Sequence, residues 1–303
     1  MATNFEKMKH IPIKTNFKYP DLKPENYRFG SNQFIGTPLR ENGDWRDYLP
    51  PEESQNVRGI ESSACYVEAQ QHTIATIEEE ELGEPDNNYA SRFNAKLSNG
   101  TPQGGDPIAG ADSIRHDGLV KDRSMPFSED IQSWEDFNSW KGVAEKTLRE
   151  EGQNYLAKKG LNFDVVVERH EPVETKYIKL KQALKYCPPP VSVVGWYEEN
   201  GIYIKPKGAI DNHLVELVYI DENNRPYIRD TYPPYLKILE PYYNFDFAMR
   251  WGIKKKEIPS IKDTPMSDTS IKDAKRTSNW FVEIMANLLA FLLDIIKSVF
   301  NKK

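Results

Sequence analysis

An α+β fold is predicted by this sequence, with helices in the first half and antiparallel strands in the second. Three observations support it. Residues 63–81 contain neither Gly nor Pro and are rich in strong helix formers. Beyond residue 190 the apolar pattern changes to a period of two, as in His213-Leu214-Val215-Glu216-Leu217-Val218-Tyr219. The 38% of hydrophobic residues, with 16 Tyr, 13 Phe and 6 Trp, is enough apolar surface for a packed core rather than a disordered chain. Helices and strands segregated along a chain indicate α+β; an alternating βαβ order would not give this pattern.

The elements follow in order. Residues 1–43, with scattered aromatics and little periodicity, read as an extended N-terminal arm. After the turn at Pro50-Pro51, a helix over 63–81 takes Ser62 or Ser63 as its N-cap. Cys65, Ala69, Ile74 and Ile77 are compatible with one buried face. Cys65 falls in the first turn, where the helix dipole and unpaired N–H groups favour a thiolate. Glu78-Glu79-Glu80-Glu81 reads as a solvated helix end. Gly100, Gly104, Gly105 and Gly110 mark a surface loop. A short helix over 108–116 stops at Gly118, and a longer one over 134–151 runs from a Ser133 cap to Gly152. A third, over 177–186, is ended by Pro188-Pro189-Pro190. Strands are expected at 191–197, 201–204, 213–220 and 225–230. Residues 254–278 are a polar linker containing Pro259 and Pro265, and 279–303 form an apolar C-terminal helix.

Composition excludes several function classes. The net charge is −6 and no basic stretch carries interleaved aromatics, so no nucleic-acid partner is implied. Lys254-Lys255-Lys256 reads as a solvated turn. The only cysteines are Cys65 and Cys187, which rules out a disulfide framework and leaves a single bridge open. Residues 1–15 are charged and lack an apolar core, so no signal peptide is expected, and the chain is expected in a reducing cytosol. His10, His116 and His170 lack spaced Cys or His partners, so no metal site and no cofactor is implied. His72, further along the helix of Cys65, reads as a surface or packing residue rather than a catalytic one, and Cys187 as one packed against the strand that follows.

What raises Cys65 above a small core residue is its company. His213 opens a predicted strand about 150 residues later, the separation at which papain-type chains place the histidine. Asp230 ends the next strand, in Tyr227-Ile228-Arg229-Asp230-Thr231-Tyr232. Over residues 44–253 the order of motifs resembles the papain-like cysteine peptidase family. Asp44-Trp45-Arg46 is similar to the start of that domain. Gln55, then Ser63-Ala64-Cys65-Tyr66, resembles the stretch from the oxyanion glutamine to the nucleophile. Gly104-Gly105 resembles the glycine pair lining the substrate cleft, and Gly118-Leu119-Val120 through Met125-Pro126-Phe127 the segment after it. Residues 180–183, Pro190-Val191-Ser192-Val193 and Gly201-Ile202-Tyr203 resemble the helix and strands ahead of the catalytic histidine. Arg229-Asp230-Thr231-Tyr232 stands where the family has Lys-Asn-Ser-Trp.

The resemblance implies a papain-like fold with a helical left half, an antiparallel sheet or barrel as right half, and an active site between them. It implies a cysteine endopeptidase with Cys65 as nucleophile, His213 as base, Asp230 as the group orienting it, and a protein or peptide substrate. The backbone N–H of Cys65 and the Gln55 amide would hold the oxyanion, and Gly104 and Gly105 the substrate backbone. The relatives it points to are divergent proteins of bacteriophages and bacteria, which implies synthesis in a host cytoplasm and association with a virion. Two other readings stay open: a catalytically inactive papain-fold binding or structural protein of a virion, and an acyl-transfer enzyme such as an amidase or transglutaminase. Departures from the family are Ser63-Ala64-Cys65-Tyr66 for Gly-Ser-Cys-Trp, a longer gap from Gln55 to Cys65, Asp for Asn as the third member, and a leading segment too short for the usual helical propeptide.

Residues 280–300 are long enough to cross ~30 Å of hydrocarbon at ~1.5 Å per residue. Glu283, Asn287, Asp294 and Lys297 form one polar stripe along them, however, and a mid-membrane charge costs ~2.5–3.5 kcal/mol. A simple span is therefore disfavoured. Self-association, docking to a partner, contact with a membrane interface, or folding back on the domain are the open readings.

Overall fold

The computed structural model describes residues 9–10, 17–20, 22, 37–84 and 87–255. The chain divides into two units, Met1–Lys256 and Glu257–Lys303. The expected C-terminal helix and nearly all of the polar linker lie outside the described residues.

In chain order the elements are β1 (Lys9–His10), β2 (Asn56–Val57), β3 (Ile60–Glu61), α1 (Cys65–Leu82), α2 (Ser91–Leu97), α3 (Pro107–Asp117), α4 (Trp134–Phe137), α5 (Glu145–Lys158), β4 (Lys159–Val167) and α6 (Val173–Ala183). They continue with β5 (Pro190–Val193), β6 (Tyr197–Glu199), β7 (Ile202–Ile204), β8 (His213–Ile220), β9 (Pro226–Arg229), β10 (Leu236–Ile238) and β11 (Ala248–Lys255). The main sheet has six strands in the order β10-β9-β8-β5-β11-β4, antiparallel at every pairing. A smaller sheet, β1-β6-β7, holds the described start of the arm. The fold is α+β, as the sequence predicts.

Helix α1 is the centre of the molecule. Every side chain from Cys65 to Glu78 is buried. Cys65, Ala69, Ile74 and Ile77 pack in one cluster with Leu214, Phe247, Met249 and Trp251 of the sheet side. Tyr66 and Val67 pack in another with Ala95, Ile131 and Phe137 of the helical side. A helix covered on both sides cannot keep a polar solvent face, so most of its buried polar residues are turned into internal bonds. Gln71 Nε2 donates to Asn94 Oδ1 (2.9 Å), Thr73 Oγ1 to Pro188 O (2.7 Å) and Thr76 Oγ1 to Glu216 Oε1 (3.0 Å). Trp45, fully buried, fastens the start of the domain by donating Nε1–H to Leu184 O at 2.7 Å.

Several local expectations are corrected. The N-cap of α1 is Ala64, not Ser62 or Ser63; Ser62 Oγ instead accepts the Ala64 N–H at 3.2 Å, one position early. The single helix over 134–151 is two. Ser133 does cap α4, but the chain turns out of it through Gly142 at φ +78, and α5 then runs through Gly152. Gly152 is a close-approach residue, since a Cβ there would lie 2.1 Å from Asp117 O. The strand over 191–197 breaks between β5 and β6. Glu78 is not solvated: Lys159 Nζ and Tyr155 Oη donate to it at 2.7 and 2.6 Å, and Asn87 Nδ2 at 2.9 Å, inside the protein. Helix α2 and strands β4, β10 and β11 had no counterpart among the expected elements.

Candidate active site

Cys65 is the first residue of α1 and has no exposed surface. Its approach is fixed by Ser63, which takes φ +54 and donates its hydroxyl to Pro102 O at 2.9 Å. Facing it across the two halves, His213 is the first residue of β8 and pairs with Val193 of β5. Asp230 follows the last residue of β9, and the pairing Glu216↔Arg229 sets the start of β8 beside the end of β9. The structure thus brings Cys65, His213 and Asp230 together.

His213 Nε2 donates to Asp230 Oδ1 at 2.6 Å, and neither side chain has any exposed surface. That bond leaves Nδ1 without a hydrogen-bond partner, and Cys65 is the ring's other charged neighbour. Burial opposes charging the imidazole. The Asp230 carboxylate, and then Cys65, outweigh it, so the ring is pushed up to about 10. Burial also works against the Asp230 carboxylate, but His213 and Lys237 beside it hold its carboxyl below the usual range. Trp196 stands edge-on to the His213 ring at 5.9 Å and Tyr232 lies 5.6 Å away, walling the pair from water.

Gln55 is buried just ahead of the β2–β3 hairpin. Its Nε2 donates to Tyr232 Oη at 2.6 Å and its Oε1 accepts from Thr231 Oγ1 at 2.9 Å. Tyr232 Oη passes its own hydrogen to Glu61 Oε2 at 2.6 Å. The long gap from Gln55 to Cys65 is therefore taken up by a hairpin, while the glutamine is anchored to the residues after Asp230. Gly104, at φ +84, closes a tight turn with Thr101. Gly105 lies flat on the Tyr66 ring; a Cβ there would sit 2.3 Å from Tyr66 Cζ.

The N-terminal arm crosses at this point. Phe17 N–H donates to Asn212 O at 2.8 Å, and Lys18 N–H to Gly105 O at 3.3 Å. Asn212 precedes His213, and Gly105 rests on the neighbour of Cys65, so one extended stretch bonds to both walls. The Phe17 side chain is buried in the same apolar cluster as Cys65, Leu214 and Phe247, its ring 6.1 Å from that of Phe247.

Four participants were not predicted: Lys237, Trp196, Asn212 and Phe17. Lys237 had one signal, a lysine that strand alternation would turn inward beside the exposed Leu236, readable only once the register of β10 is known. Elsewhere, His72 is buried and meets Glu53 at 3.3 Å, consistent with packing. Cys187 is buried and free, as is Cys65, so no bridge joins them. Among the described residues no group of three or more His, Cys, Asp or Glu side chains is placed to hold a metal, and no helix is long and apolar enough to cross a membrane.

No family model and no curated protein matches the sequence. Among solved structures the chain is similar to xylellain, a cysteine protease from Xylella fastidiosa, with a TM-score of 0.53 and 16% identity over 80% of this chain and 97% of that one. It is also similar to digestive procathepsin L 3 from the larval midgut of Tenebrio molitor, with a TM-score of 0.52 and 13% identity over 75% and 74% of the two chains. The fold is therefore the papain-like α+β fold.

Proposed function

We propose that the chain is a cysteine endopeptidase that hydrolyses peptide bonds through Cys65, His213 and Asp230. The observation that carries this reading is the use of the His213 ring: Asp230 takes Nε2 and leaves Nδ1 for a thiol at the first turn of a helix. In this arrangement the Cys65 proton passes to Nδ1 and the helix N-terminus favours the sulfur anion. The thiolate attacks the carbonyl carbon. Gln55 Nε2 gives one hydrogen to Tyr232 and would offer its second to the developing oxyanion, beside the Cys65 N–H. His213 then protonates the leaving amine as the C–N bond breaks. Water, losing a proton to the same nitrogen, cleaves the thioester and restores the thiol.

A peptide substrate is supported by the chain's own arm, which lies extended between Asn212 and Gly105 and sets an aromatic side chain among apolar residues beside Cys65. The same contact makes the described state a latent one, with the cleft covered. Encoding by a phage and association with a virion remain part of the proposal on the strength of the sequence resemblance, and tethering through residues 280–300 on their apolar pattern and the polar linker before them.

The test is mass spectrometry after reaction with an electrophilic thiol inhibitor, on the full chain and on His213→Ala. Cys187 is an internal control, because burial pushes its thiol up to about 12. Single labelling at Cys65 that slows at least tenfold in His213→Ala supports the reading. Labelling at Cys65 that is indifferent to His213 rejects it in favour of a binding protein with this fold.

A further inference from the structure

We infer that Lys237 is a positioning residue that neutralises Asp230, so that His213 can gain and lose its proton without stranding a buried charge. This role rests on the peptidase reading for its purpose but on separate geometry for its existence. Lys237 sits on β10 with 2% of its surface exposed. All three ammonium hydrogens are used: Nζ donates to Asp230 Oδ2 at 2.6 Å, to Tyr232 O at 2.5 Å and to Pro234 O at 2.6 Å. The cation also lies over the Trp196 and Tyr203 rings, at 5.1 and 5.6 Å. On the other side of the carboxylate, Oδ1 takes the His213 Nε2–H and the Thr231 N–H.

Counting charge shows why the lysine matters. A lone buried carboxylate would demand a permanent imidazolium as its counter-ion, and a proton held so firmly is a poor one to hand to a leaving amine. With Lys237 in place, the Asp230–Lys237 pair is neutral. The pull of the carboxylate on the His213 proton, which still raises the ring, is thereby weaker than that of an unpaired carboxylate. The buried lysine is thus matched to the Asp-for-Asn departure. The other titratable groups reaching the pair are Cys65 and His72 from α1, Glu61 from β3, Tyr203 from β7 and Tyr232 after β9.

A merely structural alternative exists: Lys237 could only staple the 230–237 turn through the two carbonyls. NMR titration of the His213 ring separates the two, in the full chain carrying Cys65→Ala so that sulfur does not contribute and no activity is required. Removing the positive charge with Lys237→Met is expected to raise the His213 midpoint by about one pH unit or more, the size of a nearby charge effect. Lys237→Arg is expected to leave it in place, and Lys237→Met made in an Asp230→Asn background to raise it relative to Asp230→Asn alone, since the lysine's charge acts on the ring with or without the carboxylate. An unchanged midpoint in Lys237→Met overturns the inference and leaves a turn staple. Should Lys237→Met not fold, the double variant decides: a midpoint raised relative to Asp230→Asn supports the inference, and an unshifted midpoint or failure to fold overturns it. Peptidase failure is read separately, from thiol labelling with Cys65 intact.

Discussion

Shortening the arm's anchor should uncover the thiol. Phe17 is 8% exposed, and its ring fills the cluster that contains Cys65, Leu214 and Phe247. Phe17→Ala keeps the backbone bonds to Asn212 and Gly105 but removes most of the apolar burial that holds this stretch down, a loss of ~2–3 kcal/mol. If a reagent reaches Cys65 only when the arm lifts, the labelling rate follows the lifted population, which then rises about 30- to 150-fold. The assay is the second-order rate of alkylation of Cys65 by iodoacetamide at low reagent concentration, followed by mass spectrometry, in the native chain and in Phe17→Ala. Cys187, also fully buried, reports general loosening. An unchanged rate at Cys65 would refute the covering role. A rate that rises equally at both cysteines would show that the substitution loosens the whole domain instead.

Two further outcomes follow from the site. Gly105→Ala places a methyl group within 2.3 Å of a fully buried tyrosine ring, so thermal melting should show a loss of ~1–3 kcal/mol, and a melting temperature equal to that of the native chain would mean Tyr66 is not packed as described. The His213 imidazole is raised from 6.5 to about 10 by Asp230 and Cys65 against burial, so its contribution to stability is complete below pH 6.5 and is lost as pH rises through 10. Melting temperatures should fall over that window in the native chain and fall less in His213→Gln; equal slopes would contradict the coupling.

The residues of the triad were legible because each lies in a recognisable local setting: a thiol at a helix start, a histidine opening a strand and an acid closing the next. The residues that set their environment were not. Lys237 depends on the register of β10 against β9, and Phe17 on contacts of the arm with the loops of Gly105 and Asn212, both far along the chain. Strand β4 was hidden because it continues directly from α5, Lys158 to Lys159, with no turn residue between, and because Asn162 and Asp164 interrupt its apolar run. Glu78 was misread for a related reason. A run of four glutamates looks solvated, yet only the first meets Lys159 and Tyr155, from elements far along the chain, and Asn87, from the loop after α1.

The departures from the resembled family bear on whether this is a working site or a relic, because each is met by a local partner. Ser63 stands where the family has glycine and keeps the left-handed backbone that glycine would supply, φ +54, while its hydroxyl bonds Pro102 O. Tyr66 stands for tryptophan; its hydroxyl is paired with Ser98 Oγ at 2.9 Å and its ring fills the space left by Gly105. Asp230 stands for asparagine and is met by Lys237. The hairpin between Gln55 and Cys65 is longer, and Gln55 is held in place by Thr231 and Tyr232. A site released from selection accumulates changes without regard to such partners, and a buried carboxylate without its lysine would be among the first to destabilise the fold. Each of these departures thus has a local partner in the structure, which is the arrangement that the peptidase reading proposed above requires.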